Sequence, residues 1–159
     1  DQAGAQATGD QAGAQATGDQ AGAQATGYQA GAQATGYQAG AQATGDQAGA
    51  QATGNQAGAQ ATGYQAGAQA TGNWAVASVI GDNSNASIFS NENIKEGCAI
   101  ALGIKGMAKG EKGCWLTLAE WKEVHNQWRR VDVQTKRIDG KKIKENVWYQ
   151  LENGKFVKV

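Results

Sequence analysis

The sequence predicts an all-β chain, a very compact β-solenoid closed at its C-terminal end by an antiparallel β cap. Three observations lead there. Residues 1–72 are eight copies of one nonapeptide, x-Gln-Ala-Gly-Ala-Gln-Ala-Thr-Gly, and a fixed short period marks a stacked repeat. In the first copy Ala3, Ala5 and Ala7 alternate with Gln2, Gly4, Gln6 and Thr8, the period of two that a strand requires. The last third turns to β-branched and aromatic runs punctuated by Asp139-Gly140 and Asn153-Gly154, dipeptides that favour hairpin turns.

Other architectures fit the repeat poorly. Nine residues are about 2.5 helical turns, so successive copies of a helix would face opposite sides, and each of its glycines would cost about 1 kcal/mol against alanine. Collagen needs Gly at every third residue. A calcium-binding β-roll needs repeated Asp after a Gly-rich turn, whereas Asp here occupies only the variable first position and gives way to Tyr or Asn. Disorder is the remaining competitor for so simple a composition, and the strict order of the small residues opposes it.

Two coil lengths are compatible with the period. We prefer nine residues per coil: Gly4 and Gly9 turn the corners, Ala3 and Ala7 face each other inside, and Tyr28 stacks on Tyr37. The alternative takes 18 residues per coil, with Gln2 to Thr8 as one strand and all three alanines inward. It leaves Gly4 in mid-strand without an evident reason. Against the nine-residue coil stands the stacking of Asp1, Asp10 and Asp19 at about 4.8 Å, where like charges repel. In either case Gln2 and Gln6 head amide ladders and Thr8 heads a hydroxyl column.

Residues 73–110 read as degenerate final coils. Asn73 to Gly81 keeps the template with Ala75, Ala77 and Val79 at the small positions, and Asp82 to Ser90 keeps it more loosely with Ser84, Ala86 and Ile88. Val79 and Ile88 exceed alanine, so the interior should widen there. Residues 91–110 space short apolar runs with Gly97, Gly103, Gly106 and Gly110. Residues 111–159 form the cap: a strand from Cys114 to Trp121, another from Trp128 to Ile138 leading into the Asp139-Gly140 turn, then Val147 to Leu151 and Lys155 to Val159 around Asn153-Gly154. Four of the five tryptophans fall here, and they are expected to build its hydrophobic core.

The string Leu118-Ala-Glu-Trp121, Asp139-Gly-Lys-Lys-Ile-Lys144, Trp148-Tyr149 and Gly154-Lys-Phe-Val157 resembles the C-terminal part of bacterial and bacteriophage-encoded proteins of unknown function that carry runs of Ala/Gly-rich nonapeptides. The resemblance implies a compact solenoid, usually with a further N-terminal domain, and brings no activity and no catalytic residues with it. The Ser/Ala/Gly spacing is more distantly similar to the heads of trimeric bacterial adhesins, whose coils are longer and bulkier inside. The chain starts on the first residue of a repeat without an initiator Met, so further sequence is expected N-terminal to residue 1.

Composition narrows the function more than it defines it. All 14 Lys and Arg lie after residue 72, where ten of the 14 acidic residues also fall, so that part carries about +4. This is too mild for a nucleic-acid reader, and Lys136, Arg137, Lys141, Lys142 and Lys144 read as a solvated face. No apolar run is long enough to span a membrane. Cys98 and Cys114 lack CxxC spacing and read as two small buried hydrophobes, with a bridge between neighbouring coils as the alternative. His125, in a turn between strands with Glu120 and Glu123 nearby, reads as a surface residue rather than an acid–base or metal set. We expect no catalytic, cofactor-binding or metal-binding residues and no cofactor. Tyr28, Tyr37 and Tyr64 read as tolerated exposed corners. The expected role is a non-catalytic spacer or display shaft. An adhesin-like or receptor-binding module is the alternative, and ice binding through the Thr column a remote one. Self-association is expected through the open N-terminal end, where the first coils hold no Lys and no Pro.

Overall fold

The computed structural model describes residues 1–90 and 96–159. Its strands, in chain order, are β1 (Gln2–Thr8), β2 (Gly13–Thr17), β3 (Gln20–Thr26), β4 (Gly31–Thr35), β5 (Gly40–Thr44), β6 (Gly49–Thr53), β7 (Gly58–Thr62), β8 (Gly67–Thr71), β9 (Val76–Ile80), β10 (Asn85–Phe89), β11 (Cys98–Ala101), β12 (Met107–Gly110), β13 (Trp115–Val124), β14 (Gln127–Arg137), β15 (Tyr149–Glu152) and β16 (Lys155–Lys158). They form two eight-stranded sheets. One runs β1-β3-β5-β7-β9-β11-β13-β14 and the other β2-β4-β6-β8-β10-β12-β15-β16. Pairing is parallel until β14 in the first sheet and β15 in the second, where it turns antiparallel.

The coil is 18 residues long, not nine. Gln2 pairs with Gln20, Gly22 with Gly40 and Gly31 with Gly49, so each nonapeptide is one strand plus one corner and two copies complete a turn. A nine-residue coil would have had to fit two strands and two corners into nine residues, leaving two or three residues per strand and few ladder bonds. Strands of five to seven residues meet the usual length. All three alanines of a copy point inward: Ala57, Ala59 and Ala61 are all buried. Gly4 and Gly22 are therefore mid-strand, their equivalents in the other copies open their strands, and no corner depends on them. An added Cβ at Gly40 or Gly49 would meet nothing, so nothing in the fold requires glycine there.

The ninth position does require it. A Cβ on Gly36 or Gly54 would lie 1.6 Å from the carbonyl oxygen of the glycine one coil earlier. Successive corners thus rest backbone on backbone. The first position relieves the charge problem on one corner only, since Asp1 and Asp19 stand one coil apart on the other. One corner column reads Asp10, Tyr28, Asp46, Tyr64 and Asp82, so each Tyr separates two carboxylates by two coil spacings, about 9.6 Å. Tyr37 stands on the opposite corner, and Tyr28 does not stack on it. The amide ladders form at the same 18-residue step, as Gln2 to Gln20, Gln15 to Gln33 and Gln42 to Gln60 at 2.6–2.8 Å.

In the degenerate coils the inward positions hold as expected: Ala75, Ala77, Val79, Ser84, Ala86 and Ile88 are all fully buried. Room for Ile88 comes from glycine. Its partner in the next coil is Gly110, whose Cβ would stand 2.4 Å from Ile88 Cγ2, and a Cβ on Gly97 would stand 2.6 Å from Ile88 Cγ1. The buried hydroxyl of Ser84 donates to Gly63 O at 3.0 Å and accepts from the Ala66 N–H at 3.1 Å.

The cap is built differently from the sequence expectation. Its core is Cys114, Leu116, Leu118, Ile138, Ile143, Tyr149 and Leu151, whereas Trp74, Trp115 and Trp128 remain 42–47% exposed. Parity explains this. Cys114, Leu116 and Leu118 continue the inward row, which sends Trp115 outward. The hairpin between β13 and β14 turns on His125 and Asn126, both at positive φ, and the Asn153-Gly154 turn joins β15 to β16 as expected. Asp139-Gly140 does not join two strands directly. Asp139 Oδ1 instead accepts the backbone N–H groups of Lys141, Lys142 and Ile143 at 2.8–3.0 Å, tying down the crossing from β14 to β15.

Two mutational outcomes follow. Gly54→Ala should destabilise the chain by more than about 2 kcal/mol because the clash is with backbone, whereas Gly49→Ala should be neutral or stabilising by about 0.4–1 kcal/mol. Ala57→Leu, Ala59→Leu and Ala61→Leu should each cost about 1–3 kcal/mol, with Ala59 no milder than its neighbours. Thermal and denaturant unfolding followed by circular dichroism would measure both, and a harmless Gly54→Ala would contradict the corner contact.

Candidate functional site

Two surfaces stand out, and both lie at the C-terminal end. The first is a cleft of about 300 Å³ beneath the β13–β14 hairpin, lined by Ile104, Glu120, Trp121, Trp128, Gln150 and Glu152. It exists because β13 and β14 outrun the solenoid. Only Trp115 to Leu118 pair with β11, so the rest of the hairpin overhangs the corner. A register shift between Glu120 and Trp121 bends it, as an extra residue in one strand does. Trp121 Nε1 anchors the overhang by donating to Leu102 O at 2.9 Å.

Glu120 is the buried carboxylate of this region, 5% exposed. Its Oε2 accepts the Gly154 N–H at 2.8 Å and its Oε1 lies 3.1 Å from Lys122 Nζ. The Gly154 N–H, with help from Lys122, holds its pKa below the ordinary carboxylate range. Glu120 therefore clips the β15–β16 turn to the hairpin and is engaged as an anion. Glu123 pairs in register with Trp128, and His125 sits exposed at the hairpin tip. The three do not converge on one point. Among the described residues no group of three or more His, Cys, Asp or Glu could hold a metal ion.

The second surface is the outer face of the first sheet. Along the shaft it shows Gly, Gln and Thr in rows. From β9 onward the same rows become Val76, Cys98 and Trp115; Ser78, Ile100 and Thr117; Ile80, Leu102 and Ala119, with Arg137, Thr135 and Val133 at their ends on β14. The register is fixed by side-chain contacts on this face, Cys98 Sγ to Thr117 Oγ1 at 3.7 Å and Thr117 Oγ1 to Thr135 Oγ1 at 2.9 Å. Val76, Ile80, Trp115 and Val133 are 42–54% exposed. The matching face of the second sheet is covered: Lys109 lies between the rings of Phe89, 5.7 Å away, and Trp148, 4.6 Å away.

The remaining sequence candidates disperse. Cys98 and Cys114 are both free thiols, and burial pushes the pKa of each upward, so neither is primed as a nucleophile. The basic stretch forms no stripe: Lys136 lies over the Phe156 ring at 4.9 Å and Arg137 Nε donates to Gly113 O at 3.0 Å. Tyr28, Tyr37 and Tyr64 are about half exposed on two different corners. No helix among the described residues is long and apolar enough to cross a membrane. The apolar face was missed from sequence, although Trp74, Val76 and Ile80 stand at the outward Gln2, Gly4 and Thr8 positions of the template. Comparison with known proteins returns no match to a family model, a curated protein or a solved structure.

The two anchored carboxylates predict how the cap responds to acid. Backbone N–H groups lower the pKa of Asp139, chiefly that of Lys141, as the Gly154 N–H lowers that of Glu120. A depressed folded pKa stabilises above the unfolded value, near 4, and that stabilisation is lost as pH falls through the folded value. Cap melting, read by tryptophan fluorescence, should be flat above about pH 5 and fall below about pH 4. Asp139→Asn and Glu120→Gln should each flatten the slope. A wild-type profile independent of pH between 2 and 6 would contradict the assignment.

Proposed function

We propose that the chain is a rigid, non-catalytic shaft, a spacer or display element that holds its two ends at a fixed separation. The observation that carries this reading is the parallel stack of coils, four built from the repeat and the later ones degenerate. About six turns at roughly 4.8 Å each span on the order of 29 Å. Successive corners bear backbone on backbone, and the outer faces repeat one pattern of amides. A repeat of this kind sets length by copy number and offers no unique constellation for chemistry along its sides. The nearest thing to a chemical site, Glu120, is already paired. The resemblance to repeat-bearing bacterial and bacteriophage-encoded proteins of unknown function agrees with a structural role.

A second reading, an adhesin-like or receptor-binding module, is favoured by a specific observation: the exposed tryptophans at the cap and the cleft that Trp121 and Trp128 line. It is compatible with the first, the shaft then presenting the cap. Ice binding draws less support, because Thr8, Thr26, Thr44 and Thr62 make a single file on one sheet and Thr17, Thr35, Thr53 and Thr71 a single file on the other. The open strands β1 and β2 support self-association by edge pairing. β14 and β16, at the other end, carry Arg129, Arg130, Lys155 and Lys158, the charges that usually guard an edge.

Spin labels placed near β2 and on β16 test the shaft. A single narrow distance should shorten by about 4.8 Å when residues 37–54, one full coil, are deleted. A broad distribution, or a distance that ignores the deletion, would exclude a spacer.

A further inference from the structure

We propose that the bare outer face of the first sheet, from β7 to β14, is the contact surface for a second copy of this chain, related by a two-fold axis that runs along β11. A face-to-face pair needs an axis lying in the interface, and two directions keep the strands of the two copies aligned. An axis along the strands preserves each row and exchanges strands about β11. Val76 then meets the partner copy's Trp115, a smaller side chain against a large one, and the exposed Ile80 comes over the position of Ala119, which its own chain already covers. Ser78 meets Thr117 and Gln60 meets Thr135, polar against polar. Arg137 lies over Gly58, whose face has no side chain; Gly58 and Val76 line one end of a shallow hollow of about 410 Å³. Cys98, Ile100 and Leu102 meet their own counterparts on the axis. The other direction, along the shaft, would lay Arg137 over Val133 twice and desolvate a charge against an apolar side chain. The chemistry of the rows therefore selects the axis along β11.

The size of the face sets the strength. Five strands and five residues make a field of roughly 24 Å by 17 Å, about 400 Å² of projected area per copy. That is the size of the largest patch on an ordinary monomer, with polar residues in its middle row, and is small for a permanent dimer. The pair is thus a weak, concentration-dependent dimer, isologous and closed. The pairing does not depend on the shaft reading. Its consequence does: the two shafts leave the joined caps in opposite directions, so that the paired first sheets extend over ten strand spacings where one copy extends over seven.

Sedimentation velocity of the full chain between about 5 and 500 µM provides the test, that being the range in which an interface of this size assembles. A dimer should appear within that range. Ile80→Lys, at a half-exposed site that does not enter the core, and Ile100→Lys should each weaken it at least tenfold. Gly4→Pro should leave it unchanged. Gly4 lies on the open edge of β1, where its N–H faces away from β3, so proline there blocks edge pairing alone. In a Cys114→Ala background, the remaining Cys98 thiol should be captured across the axis by a short bismaleimide. Monomer throughout the range would overturn the proposal. A dimer abolished by Gly4→Pro but indifferent to Ile80→Lys would overturn it in favour of the edge. A dimer sensitive to Ile80→Lys that gives no Cys98 cross-link would overturn the axis. The spin-label distance within one copy is independent of all three, so failure of the pairing and failure of the shaft reading are separable.

Discussion

The narrowness of the interior governs this molecule. Two sheets face each other across a gap that alanine fills, and a methyl group is the largest side chain that gap accepts along eight consecutive nonapeptides. Close sheets mean short corners, and short corners stack backbone against backbone, which is why the ninth position of the repeat has room only for glycine from Gly27 onward. The gap also limits what hydrophobic burial can contribute, because a buried methyl gives far less than a buried Leu or Ile at about 25 cal/mol per Å². Cohesion must come from dense packing and from parallel backbone ladders that repeat without interruption. The exposed amide ladders add regularity more than strength, since each exchanges protein–water for protein–protein bonds.

The same constraint shapes the transition to the cap. Ile88 is too large for the alanine gap, and the chain answers with Gly97 and Gly110 around it. Beyond that point Leu116, Leu118, Ile138 and Tyr149 give the chain the bulkiest core among the described residues. The cap thus supplies both the strongest packing and the end of growth, as terminal elements must in a quasi-one-dimensional stack. Reversal of strand direction at β14 and β15 removes the parallel template on both sheets within the same turn of the solenoid.

Most of the fold was legible because period and alternation report it directly. The inward positions of Ala75, Val79, Ser84 and Ile88 follow from the template, and the Asn153-Gly154 turn from its chemistry. Coil length was not legible in the repeat itself: identical nonapeptides read the same whether neighbours stack or face each other. The one position that varies breaks the tie, since only an 18-residue step interleaves Tyr28 and Tyr64 with Asp10, Asp46 and Asp82. The cap core was misread for a different reason. Residue type suggested buried tryptophans, whereas the alternation of Cys114, Leu116 and Leu118 already sent Trp115 outward. The overhanging cleft depends on the register shift at Glu120, which no local pattern announces.

The two faces of the shaft end differently because the crossing from β14 to β15 passes to the second sheet. After β12 the chain returns to the first sheet for β13 and β14, then crosses once more over the end of the solenoid to reach β15. That crossing buries Ile138 and Ile143, lets Tyr149 accept the Lys144 N–H at 2.8 Å and carries Trp148 to Lys109 beside the second sheet. Among the described residues, no segment after β14 returns over the first sheet. Its rows nevertheless turn apolar at β9, two strands before the cap begins on that side. Apolar outward residues on a face that no later segment reaches do not stabilise the monomer. The proposed pairing of two copies would use them, and it makes the first sheet, rather than the repeat, the surface on which that contact is to be tested.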